Sequence, residues 1–199
     1  PGLYGPLELP PPTRPDTLIV LETEGWSQCD ETTRSAFEAI LDQLESLNVK
    51  LVTRNELPAI ETFEQEIDGS MVLCRILCSY EMRWALRHYQ STGLLSDDLS
   101  LWLELAETIT LDDYRRALEK RERMRASLAA LKGLASAMIT LSSPGPAPTM
   151  ETLTPSGESG YAYKTGSPAF NAATSALGSP ALPLPLAAVR GLPLGIQLI

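Results

Sequence analysis

Apolar positions along this 199-residue chain alternate between short unbroken runs and stripes of helical period. The first run, Thr17-Leu18-Ile19-Val20-Leu21, is rich in β-branched residues and predicts a strand covered on both faces. Phe37, Ile40, Leu41, Leu44 and Leu47 then recur at three- and four-residue steps opposite Arg34, Glu38, Asp42 and Glu45, the pattern of an amphipathic helix. Asp30 stands where its carboxylate can cap that helix, with Glu31 near the positive end of the dipole. Asn48 is suited to close it in the left-handed conformation. Val49, Leu51 and Val52 restart a strand, so the unit reads as strand, helix, strand with the two strands parallel.

Residues 61–89 hold no proline and carry Phe63, Ile67, Val72, Leu73, Ile76, Leu77, Tyr80 and Trp84 mostly on one side, with Gly69-Ser70 bending or breaking the helix. A shorter segment over 97–107 carries Leu99, Trp102, Leu103 and Leu105. Thr110 and Asp113 form the ends of a capping box, predicting a helix from Leu111 to about Lys132. Residues 134–141 are apolar again and stop at Ser142-Ser143-Pro144-Gly145-Pro146. Large apolar residues are scarce over 145–164, which reads as a loop, and 179–199 reads as two short buried strands joined near Val189-Arg190-Gly191. Pro180 and Pro185 are placed to bracket the first of these, because proline withholds a ladder donor. Pro6, Pro10, Pro11, Pro12 and Pro15 make residues 1–16 an extended linker, leaving 17–199 as part of a single domain.

Composition narrows the function. Hydrophobic residues at 44% and charged residues at 21% are ordinary for a globular protein, and a net charge of -9 argues against a phosphate-binding surface. The one dense basic run, Arg115 to Arg125, is interleaved with Glu119 and Glu122 as on a solvated helix face. Three cysteines, Cys29, Cys74 and Cys78, form no disulfide framework and suit a reducing, cytoplasmic setting. No charged segment precedes an apolar one as in a signal peptide, and prolines and glycines break the apolar tail over 172–199 too often for a membrane helix. The chain begins at Pro1 and stops within the apolar run at Leu198-Ile199, so both ends read as cut.

Candidate chemistry is sparse. Cys74, Cys78 and His88 offer at most three metal ligands without paired-cluster spacing, and read as core thiols and a surface imidazole. Glu22 and Glu24 follow the first strand and read as solvated. Ser142-Ser143 is followed by Pro144, where a nucleophile loop would need free N–H donors, and reads as a strand-ending turn. Lys50, Lys120, Lys132 and Lys164 lie in polar surroundings, unlike a desolvated base. A single histidine argues against a Ser-His-Asp triad from this segment alone, and nucleotide fingerprints are absent. No catalytic, cofactor-binding or metal-binding residue is assigned within the chain.

The distal residues carry a resemblance. Phe170-Asn171, Gly178-x-Pro180-Ala181-x-x-x-Pro185 and Gly191-Leu192-Pro193-x-Gly195-x-Gln197, in this order and spacing, resemble the closing signature of the amidase-signature hydrolases. Ala137 to Pro144, Ala147-Pro148, Tyr114-x-x-Ala117-x-x-x-Arg121 and the strand-helix-strand unit of 17–53 resemble earlier parts of the same family. Two departures stand out: Ser143-Pro144 replaces the usual Thr-Pro, and Thr165 lies one residue early before the Phe-Asn pair. The resemblance implies an α/β fold, with a mixed central sheet covered by helices, of which this chain is the C-terminal part. It implies C–N amide hydrolysis through a seryl acyl-enzyme, with a Ser-cis-Ser-Lys triad upstream of these residues, so that the chain alone is inactive. A small-molecule amide would be the substrate of the intact enzyme. No cofactor, nucleic acid or membrane is implied, and a homodimer is left open. The alternatives are an amidotransferase A-type subunit acting on glutamine and charged tRNA, and a non-catalytic interaction domain. Independently of the resemblance, Gly191 and Gly195 suit a tight turn and a close backbone approach, and Asn171 suits the capping of loop backbone groups.

Overall fold

The structure, a computed structural model, describes Pro11, residues 13–148 and residues 166–199. Most of the predicted linker and of the predicted loop over 145–164, with Lys164 and Thr165, lies outside them; Gly145 to Pro148 are irregular, as expected. Strand β1 (Thr17–Val20) leads through a single 3-10 turn (Glu24–Gln28) to α1 (Glu31–Ser46) and β2 (Lys50–Val52). Helices α2 (Pro58–Ile67), α3 (Ser70–Ser91), α4 (Asp97–Thr108) and α5 (Leu111–Ala130) follow. The chain then returns through β3 (Ala137–Leu141), the short α6 (Ala172–Leu177), and the hairpin of β4 (Leu182–Val189) and β5 (Leu192–Leu198).

The local chemistry that defines these boundaries is as the residues predict. Asp30 accepts from the Thr33 N–H at 2.8 Å, and Thr110 with Asp113 completes a reciprocal capping box at the start of α5. Asn48 adopts φ 59° just beyond α1, and Gly69 at φ 70° separates α2 from α3. Arg190 and Gly191, at φ 53° and 77°, form the two-residue turn whose twist matches a hairpin.

The strands form one mixed sheet in the order β2-β1-β3-β5-β4. β1 is parallel to β2 and β3, while β5 runs antiparallel to β3 and β4. Alternation of side chains sends Ile19, Val52 and Met138 into a core with Ile60, Phe63, Leu73, Leu77, Met124 and Ala176, beneath α2, α3, α5 and α6. Leu18, Ile139, Leu141 and Ile196 enter a second core with Phe37 on the α1 side. The chain is thus α/β, with a mixed central sheet covered by helices on both faces.

Four expectations need correction. β4 is largely exposed rather than buried, because it is the outer strand of the sheet. Pro180 and Pro185 do not bracket it: Pro183 and Pro185 lie inside, and the register slips between Leu184 and Ala187. An edge tolerates these missing donors, and they also make it a poor template for further pairing. Val72 and Trp84 leave the apolar side of α3, at 49% and 65% exposure. Trp84 instead lies within 5.7 Å of the Arg83 guanidinium and 4.7 Å of that of Arg87, a cation-π arrangement that keeps its ring at the surface. The fourth is α6, a helix where none was predicted.

One contact joins distant parts of the chain. Phe170 is fully buried, and its ring lies over Gly25 so closely that a Cβ there would stand 2.5 Å from Phe170 Cδ2. Trp26 packs edge-on against both Phe37 and Phe170, at 5.1 and 5.7 Å between centroids. A second long-range tie runs through Glu64, which is 7% exposed. Its Oε1 accepts from the Glu22 N–H at 2.8 Å, and its Oε2 lies 2.9 Å from Arg54 Nε. Burial pushes the Glu64 carboxyl above its ordinary value, against the opposing pull of the Glu22 N–H and the Arg54 charge.

Two predictions result. Gly25→Ala lowers stability by about 1–3 kcal/mol through overpacking, read as a reduced urea midpoint; an unchanged midpoint would show that the ring moves aside freely. Because the Glu64 pKa is raised on folding, the folded state holds that proton more firmly. Its contribution is therefore full below the unfolded value and declines as pH rises through the folded one. Stability of Glu64→Gln should fall less than that of the parent as pH rises from about 4.5 toward neutrality.

Candidate functional site

Where β3 ends, the sheet, α6 and the hairpin enclose a polar cleft of about 630 Å³. Ser142 enters from the residue after β3, Gln197 from β5, Asn171 from the N-terminus of α6, and Thr174 and Ser175 from its first turn. Two features hold these side chains. Asn171 Nδ2 donates to the Ser142 carbonyl at 3.1 Å, and Gln197 Nε2 donates to the Phe170 carbonyl at 3.4 Å. The Ser142 N–H in turn donates to the Gly195 carbonyl at 2.9 Å. Gly195 suits this closeness: a Cβ built on it would lie 2.1 Å from Ser142 Oγ and 3.3 Å from its Cβ, so the serine side chain would have to turn away. The expected close approach at Gly195 and the backbone-capping role of Asn171 are both found.

This cleft offers hydroxyls and amides but no charge. Among the described residues no lysine, histidine or carboxylate lines it, and an unassisted hydroxyl is a weak nucleophile. What it can do is hydrogen-bond a polar group. Ser142 and Ser143 form the strand-ending turn, with Ser143 Oγ donating to the Gly145 carbonyl at 2.6 Å.

A second cavity, of about 340 Å³, lies on the other side of α6 between α3, α4 and α5. Cys74 and Cys78 share its wall, but only Cys74 is half-buried; Cys78 is exposed, which corrects its reading as a core thiol. The offset follows from α3 presenting one face to α6 and the next turn to the cavity mouth. Cys74 Sγ donates to the Ala172 carbonyl at 3.2 Å, and burial, with smaller effects from Cys78 and Glu24, pushes its thiol up to about 11. His88 lies exposed near the end of α3, away from both thiols, beside the Tyr89 ring. Among the described residues no group of three or more histidines, cysteines and carboxylates is placed to hold a metal ion.

The remaining candidates serve structure. Glu22 pairs with Arg54. Glu24, expected to be solvated, accepts from the Met71 N–H at 2.8 Å and so caps α3, whose own N-cap Gly69 has no side chain to do it. Lys120 donates to the Asp68 carbonyl, while Lys50 and Lys132 are exposed. Residue reasoning named Arg121 only within the family resemblance and missed Glu64 and the cleft-lining Thr174 and Ser175; of the missed residues, only the last two had a local signal, a short Ala-rich segment closed by Gly178 at φ 70°.

No protein-family model matches the chain, and no curated protein matches it. Solved structures do. An amidase structure aligns with a TM-score of 0.70 at 27% identity, over 92% of this chain and 41% of that one. A bacterial aryl acylamidase of the amidase-signature family aligns with a TM-score of 0.65 at 10% identity, over 93% and 40%. The chain has the amidase-signature fold. It spans about two-fifths of the length of these structures, as the C-terminal portion of an amidase-signature domain would. The A subunit of the Thermotoga maritima glutamyl-tRNA(Gln) amidotransferase shares the fold with a TM-score of 0.56 at 20% identity, over 92% of this chain and 38% of that one. Among the described residues no helix is long and apolar enough to cross a membrane.

The Ser142–Gly195 contact of the amidase-signature hairpin yields a double-mutant test. Gly195→Ala should cost about 1–3 kcal/mol, and less in a Ser142→Ala background, because the nearest atom is then gone. Equal penalties in both backgrounds would place the strain elsewhere.

Proposed function

We propose that residues 17–199 form the C-terminal portion of an amidase that cleaves a C–N amide bond through a seryl acyl-enzyme, its Ser-cis-Ser-Lys residues lying outside these 199. The observation that carries this reading is the alignment of nearly the whole chain, at 27% identity, with about two-fifths of an amidase. The uncharged cleft supports it: hydroxyls and amides are in place to position a polar substrate group, while a base would have to come from elsewhere. The exposed Leu182, Leu186 and Leu192 of the hairpin add support, since exposed apolar side chains grouped in one hairpin call for cover. The likeness to the amidotransferase A subunit is one of fold, and a net charge of -9 does not favour tRNA as a substrate.

The test uses a serine-directed fluorophosphonate on the intact protein encoded by the reading frame that contains this chain. The expected outcome is amide hydrolysis lost in step with labelling of one serine outside residues 1–199, and no turnover by the 199-residue chain alone. Labelling within the chain, at Ser142 or Ser143 for instance, or amide turnover by the chain alone, would overturn the reading.

A further inference from the structure

The cavity between α3, α4, α5 and α6 has a charge that the rest of the molecule does not explain. Arg75 and Arg121 line it against one carboxylate, Glu81, in a chain whose net charge is -9. Glu81 is already engaged, its Oε1 accepting from the Tyr114 hydroxyl at 2.9 Å. Arg121 Nε is buried without a hydrogen-bond acceptor among the described residues. Among the described residues the carboxylate paired with it, on the adjacent Glu122, is 4.0 Å away, too far for a hydrogen bond. A buried guanidinium N–H left without an acceptor is costly, and a native structure usually supplies a reason for it. Leu77, Pro168, Ala172, Ala176 and Trp102 make much of the remaining wall apolar, while Asn171 and Ser175 add neutral polar groups.

We propose that this cavity binds a small organic carboxylate, with the anionic head on the Arg121 and Arg75 guanidiniums and an apolar body against Trp102, Leu77 and Ala176. A guanidinium presents paired N–H donors in a planar fork that matches a carboxylate, whereas it has nothing to offer a neutral amide of the same shape beyond a single weaker bond. The volume of about 340 Å³ is at the lower end for small-molecule sites and suits a one-ring or short-chain acid. The inference concerns the ligand class of this cavity and holds whether or not the intact protein hydrolyses amides.

Cys78 provides a reporter independent of activity, being exposed and part of the same wall. The intact protein that contains these 199 residues is titrated with benzoate, following binding by calorimetry and the alkylation of Cys78 by iodoacetamide through peptide mass spectrometry. Saturable binding should slow alkylation at Cys78 and leave Cys29, which lies elsewhere, unchanged. Arg121→Gln should weaken benzoate about 10- to 100-fold, the loss expected for a charge-assisted hydrogen bond. Benzamide should bind the parent chain no better than benzoate binds that variant. Arg75→Gln is the second variant, weakening benzoate in the same direction should Arg121→Gln fail to fold. Absence of saturation, protection of Cys29 rather than Cys78, equal affinity for benzamide, or full benzoate affinity in the folded variants would each overturn the proposal.

Discussion

The seating of Phe170 on Gly25 organises much of what surrounds it. The ring occupies volume that any side chain at Gly25 would claim, and that volume exists because the 3-10 turn after β1 is held in place by its own bonds. Thr23 accepts from the Gly25 N–H, and the Trp26 indole donates to the Leu21 carbonyl. With Phe170 committed to the α1-side core, its neighbours have no freedom left. Asn171 turns to the Ser142 carbonyl, and Ala173 and Ala176 turn to the opposite core. A segment of a few residues thereby spans both faces of the sheet, and α6 is set as the thin wall between cleft and cavity. Overpacking at that junction would be felt on both sides, because close-packed interiors transmit strain rather than absorb it.

The mixed sheet adds a second constraint. β3 has a parallel neighbour in β1 and an antiparallel one in β5, so the hairpin must approach β3 from the side opposite the strand-helix-strand unit. Glycine at 195 lets it come close enough for the Ser142 N–H to reach a carbonyl across the gap. The far strand then becomes an edge, a position that tolerates its prolines.

Sequence made legible those features whose cause is local. Asp30, Asn48, Gly69, the Thr110–Asp113 box and the Arg190-Gly191 turn each act through a backbone group within a few residues, so residue type and spacing suffice. The strand-helix-strand unit and the antiparallel hairpin were legible for the same reason, as was the turn at Ser142-Ser143. Features with distant partners were not. Glu24 reads as a solvated acid until α3 places the Met71 N–H above it, and Glu64 looks like any polar position of α2 until Arg54 and the Glu22 N–H converge on it. β4 misled because apolar composition signals burial, while exposure depends on which strand ends the sheet. α6 escaped because six residues are too few to show a helical period.

The chemistry divides along the same lines as the electrostatics. In the cleft, the Asn171 and Gln197 amides and the Thr174 hydroxyl donate to backbone carbonyls. Around the cavity, charge is concentrated, and one guanidinium N–H is unanswered while a neighbouring thiol is held protonated by burial. A hydrolytic site needs the reverse pairing, a hydroxyl beside a desolvated base. Asn171 and Ser175 line both spaces, yet the charged groups lie on one side of α6 and the hydroxyl-rich floor on the other. No rotation of a side chain brings Arg121 chemistry to Ser142, because a guanidinium cannot serve as a base at neutral pH even where it touches.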